Sequence, residues 1–135
     1  MTELVDRPDM VGAQPTVHLT GDGLPIQAAM VTDFVRFAPG FVHRMHYHPH
    51  ADQILVCLGG RFVVRGADQR LVLEDGGVLI APAGAPHEIR NESGDEATAL
   101  VMFPGIHSVS AAGYVECPAL YLDRPTPDRP HAQQQ

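Results

Sequence analysis

From residue 27 to residue 103 the chain alternates short apolar or every-second-residue runs with clusters of Gly, Pro, Asn and Asp. Gln27–Phe37 is a long β-rich run, and Ile54–Leu58, Arg61–Arg65, Arg70–Glu74, Val78–Ala81 and Ala97–Phe103 are short runs rich in Val, Ile, Leu and Phe. Each is predicted to be a strand. Breaks at Pro39–Gly40, Gly59–Gly60, Gly66–Gln69, Gly76–Gly77, Pro82–Gly84 and Asn91–Asp95 predict the turns between them. In the first run Thr32 and Arg36 share one parity and Asp33 has the other, which predicts a strand at a barrel edge. Thr16–Thr20 makes a first short strand, ended at Gly21–Pro25. Residues 1–15 mix charge, Pro and Gly without period and are expected to be an arm. Ile106–Tyr114 reads as a short helix or lid, and residues 117–135 as a Pro-rich tail ending in Gln-Gln-Gln. One all-β domain over 16–116 is the expected organisation, with no internal repeat.

Composition narrows this further. Gly and Pro supply 13 and 12 of 135 residues, which suits many strands joined by tight turns. A chain this long buries enough surface to need no disulfide staples. Cys57 lies in an apolar run as a small core residue, and with Cys117 it makes no disulfide framework. The net charge of −7, with no basic patch, argues against nucleic acid. No run is long and apolar enough for a membrane span or a leader, so a cytoplasmic protein is expected. Trp is absent, which disfavours a sugar-stacking platform.

The chemistry concentrates in two stretches. His46 and His48 are two apart, so on a strand both imidazoles leave one face. Paired neutral imidazoles begin a site for a borderline divalent ion. His87 follows a Pro82-Ala-Gly84 turn that can re-aim a strand toward them. The same parity puts Arg44 with His46 and His48, and His43, Met45 and Tyr47 on the opposite face. Arg44 is thus a candidate anchor for an anionic substrate, or a solvated arginine at the mouth. His18 is expected at the surface, and His50 and Asp52 in solvent or bracing their loop.

These stretches resemble the paired motifs of the cupin superfamily. Gly40, His46, His48, Gln53 and Gly60 fit the first motif, with Gln53 where the pattern has Glu. Gly76, Pro82, Gly84, His87 and Asn91 fit the second. The resemblance spans roughly residues 28–103. It implies an all-β, cupin-type antiparallel β-barrel of jelly-roll-like double-sheet form. It also implies one divalent metal ion (Zn, Mn, Fe, Ni or Co) held by His46, His48, Gln53 and His87, and a homodimer. The alternative is a cupin without metal, whose histidines are packed residues; each neutral imidazole would then need its own buried partner.

Small cupins with a His-His-Gln-His site catalyse mainly non-redox reactions: ketonisation of unsaturated uronates, polyketide cyclisation and cyanohydrin cleavage. The uronate enzymes carry an Asp-x-Phe-x-x-x-Arg pattern in the last strand. Aligned on Phe103, this chain has Val101 and His107 at the outer places. Glutamine neither titrates nor compensates charge, so a strong Lewis acid is expected. Three classes remain: an isomerase, cyclase or lyase of a small oxygenated molecule; a mononuclear metal dioxygenase; and a non-catalytic binding or sensing module. Proton-transfer candidates are His107, Tyr114 and Glu88, with Arg44 as a further catalytic candidate. Leu55, Cys57, Val101 and Phe103 are expected to line the substrate pocket with Arg44, an apolar lining that suits an aromatic or polyketide-like ligand.

Overall fold

The computed structural model describes residues 29–117 continuously, together with the short strands Glu3–Val5, Met10–Val11, Thr16–Thr20 and Asp128–Arg129. Those strands are β1, β2, β3 and β13. Between them run β4 (Met30–Phe37), β5 (Val42–Tyr47), β6 (Gln53–Gly59), β7 (Phe62–Arg65), β8 (Arg70–Leu73), β9 (Val78–Ala81), β10 (His87–Arg90), β11 (Ala97–Pro104) and β12 (Val115–Glu116). A single 3₁₀ turn, Val109–Ala112, is the one helical element among the described residues. The rest of the predicted arm (1–15) and tail (117–135) lies outside the described residues.

Two sheets face each other. One has the order β1-β3-β4-β11-β6-β9 and the other β12-β5-β10-β7-β8-β13, with β2 also on β5. All pairings are antiparallel except β13 beside β8. Alternation decides which face is buried. Val31, Val35 and Phe37 of β4 point inward with Ala97, Ala99, Val101 and Phe103 of β11 and Leu55 and Cys57 of β6. Phe37 stacks on Phe41 at 4.5 Å and meets Phe62 edge-on at 5.1 Å, filling the end of the barrel away from the histidines. β4 lies between β3 and β11 and is not an edge. Asp33 is nevertheless buried on its inner face, directly across from Val101.

The first motif's last glycine is explained by packing. Gly60 has φ +71°, and a Cβ there would stand 2.7 Å from the Glu96 carbonyl oxygen and 3.0 Å from Ala97 Cα. Only glycine lets the β6–β7 turn sit this close to β11.

Candidate metal centre

Two turns bring the motif stretches together. Gly84 N–H donates to the His48 carbonyl (2.9 Å), and the Ala83 N–H donates to Asp52 Oδ1 (2.8 Å). Asp52 therefore braces the Pro82–Gly84 turn. That turn delivers His87 to the register opposite His46. Asn91 is structural: its Nδ2 donates to the Phe37 and Asp95 carbonyls, both at 2.8 Å.

His46, His48 and His87 are all buried, and their candidate ligand nitrogens lie within 4.8 Å of one another. The three residues can hold a metal ion. Nitrogens each about 2.1 Å from a tetrahedral ion stand roughly 3.4 Å apart, so inward rotation of the rings would close the site on an ion. Each ring is oriented through Nδ1. His46 Nδ1 donates to the Arg44 carbonyl (2.6 Å), His48 Nδ1 to the Gly113 carbonyl (2.7 Å) and His87 Nδ1 to the Ala85 carbonyl (3.0 Å). A carbonyl only accepts, so each Nδ1 carries the proton and each Nε2 keeps a lone pair for the interior.

Two features show that these residues fit a cation. His46 Nε2 is buried and has no hydrogen-bond partner among the described residues. Gln53 Oε1 lies 2.7 Å from His87 Nε2. With the His87 proton on Nδ1, two acceptors face each other unless the amide turns its NH₂ inward. A cation beside them removes that conflict with both lone pairs in use. Protonation of the ring would also remove it, and burial opposes that. Burial first, then the neighbouring His48 and His43, lowers the His87 pKa to about 4, against the raising effect of the Ala85 hydrogen bond. Burial, together with His43 and His87, holds His46 far below the ordinary histidine range. His46 and His87 are therefore neutral at pH 7 and ready for a divalent ion.

The structure distributes the remaining predicted residues unevenly. Phe103 meets the His48 ring edge-on at 5.0 Å, and Tyr114 lies 4.9 Å from His46 and 6.2 Å from His48. Leu55 and Val101 are cross-strand partners on the inner face. Cys57 is buried further along β6, its thiol directed at the Gly59 and Gly60 carbonyls at the far end. His107 is exposed. Arg44 is half-exposed, its Nε donating to Glu116 Oε2 at 2.5 Å. Glu88 is fully buried and paired with Arg90 and Arg65 on the face of β10 opposite His87.

Simple parity fails on β5. From His46 to His43 the strand takes three steps while β10 takes two, from His87 to Ile89. This bulge shifts the alternation by one residue, since a single extra residue reverses every face beyond it. His43, expected opposite the pair, is buried and stacks on His46 at 3.9 Å. No pattern in the sequence marks that bulge.

The cupin domain family matches residues 33–103, just over half of the chain, and the protein belongs to that family. The protein TT1209 of Thermus thermophilus is 32% identical, with a TM-score of 0.57 over 67% of this chain and 84% of its own. A cupin-like protein of Thermotoga maritima is 20% identical, with a TM-score of 0.69 over 83% of this chain and 82% of its own. An oxalate oxidase in complex with glycolate is 23% identical, with a TM-score of 0.64 over 80% of this chain and 57% of its own. Among curated proteins none matches the chain significantly.

Proposed function

We propose that this cupin is a divalent-metal-dependent enzyme of non-redox chemistry, an isomerase, cyclase or lyase acting on a small oxygenated molecule. The observation that carries the reading is the donor set. His46, His48 and His87 offer imidazole nitrogens, which ligate a metal without adding negative charge, and the fourth group beside them is the Gln53 amide, not a carboxylate. Bound there, the ion would supply a Lewis acid whose charge no ligand cancels, suited to polarising a carbonyl or hydroxyl. Phe103, Leu55 and Val101 would offer an apolar wall, which favours an aromatic or polyketide-like substrate over a free sugar acid. Asp33, across from Val101, would place a carboxylate in the interior where the last strand has none. Tyr114, beside His46, is the other group placed to exchange a proton with substrate.

Turnover under argon by zinc-loaded protein tests the chemistry, because zinc polarises without changing oxidation state. Stoichiometric O₂ uptake, with the zinc form inactive, would move the reading to a dioxygenase. Gln53→Glu is expected to retain metal and to lower turnover, since the carboxylate offsets the ion's charge. Undiminished turnover in that variant counts against the Lewis-acid reading.

A cytoplasmic homodimer is part of the proposal. Cys57 and Cys117 are both free thiols. Among the described residues no helix is long and apolar enough to cross a membrane. β9 ends its sheet with Val78 and Ile80 exposed, and Leu58 is exposed on the neighbouring strand, a surface suited to a second copy. Sedimentation equilibrium of the native protein and of Ile80→Glu checks this; a native monomer rejects it.

A further inference from the structure

The segment after the 3₁₀ turn lies outside both cupin motifs, yet it touches two of the three clustered histidines. Ala112 is fully buried in the core, and its carbonyl accepts from the His50 N–H at 3.0 Å. Gly113 follows with φ +76°, packed so closely that a Cβ would fall 2.8 Å from Pro49 Cγ and 2.9 Å from Pro49 Cδ. Its carbonyl accepts the His48 Nδ1 proton. Tyr114 lays its ring beside His46 at 4.9 Å and nearly parallel to His43 at 5.8 Å. β12 then pairs with β5, Val115 opposite Tyr47 and Glu116 opposite His46, and Cys117 N–H donates to the Met45 carbonyl at 2.9 Å.

Only His87 draws its orienting carbonyl from its own turn, and His46 draws its own from two residues earlier in β5. His48 depends on a residue 65 positions away. We propose that Ala112–Cys117 is a strap built into the metal centre. Gly113 is the positioning residue for His48, and the Tyr114 ring is the positioning residue for His46. The inference rests on the metal reading above. The strap holds the His48 tautomer with Nε2 inward and stops the His46 ring from swinging outward, so it sets how tightly an ion is held. Partners of this kind are worth about 10–100-fold in metal affinity.

The test is cobalt(II) titration of the full-length protein, read by the ligand-field absorption and by competition with a chelator. Gly113→Ala is expected to weaken cobalt binding at least about 10-fold and to alter the absorption bands, with the apo-protein also less stable, because alanine is strained at φ +76° and meets Pro49. Should Gly113→Ala not fold, Tyr114→Ala decides. It is expected to weaken binding several-fold and to shift the bands, and Tyr114→Phe to restore both. Native cobalt affinity and spectrum in the folded variants overturn the strap while leaving the metal centre standing. A native protein that binds no cobalt overturns the metal reading and the strap with it.

Discussion

His87 and Glu88 are neighbours on β10, both almost fully buried, and they face opposite ways. Glu88 is satisfied where it stands. Arg90 Nε and Nη2 donate to its two oxygens at 2.9 and 3.2 Å, and Arg65 Nη1 approaches at 3.5 Å. His87 is met by the Gln53 amide oxygen and by two more imidazoles, a set of lone pairs that a cation would complete together. A buried polar group with its counter-charges in place is architecture. One whose neighbours all present the same kind of lone pair is a binding site in waiting.

The largest way to break this contrast is on the histidine side. His48→Ala and His87→Ala are expected to purify with almost no divalent metal, while the native protein carries about one ion per chain. Full occupancy of both variants, by inductively coupled plasma mass spectrometry, rules this ligand set out. Glu88→Ala should do the reverse. It leaves two guanidinium groups without their buried partner and is expected to cost about 2–4 kcal/mol in urea unfolding, with metal affinity unchanged.

Acid sharpens the comparison. The folded His87 pKa is near 4 and the unfolded value 6.5, so between those values the unfolded chain holds the extra proton. Stability of the apo-protein is therefore expected to fall as pH drops from 6.5 toward 4, by up to about 1.4 kcal/mol per pH unit for one such proton. His87→Gln should flatten that slope, and an equal slope in the variant counts against the assignment. The smallest effect belongs to Arg44→Ala. Its pair with Glu116 is exposed, so less than about 1 kcal/mol is expected in unfolding, with cobalt affinity near native.

Much of this molecule is legible in residue order. Strand runs end at Gly, Pro, Asn and Asp because those residues carry turn conformations, and the predicted runs from residue 27 onward fall on β4 and β6–β9 and on β11. The histidine spacing identifies His46, His48 and His87 because motif and turn are local. Three things escaped. The β5 bulge depends on which β10 residue pairs with which, and it turned His43 inward and left Arg44 with Glu116. Asp33 pointed in sequence to an edge strand, and its burial beside Val101 depends on β11, a strand far along the chain. The strap is a long-range contact between Gly113 and His48, made by a backbone carbonyl that every residue carries. Composition and period are local properties of the chain. Pairing register and backbone contacts exist only after distant segments meet, so tertiary structure alone decided them.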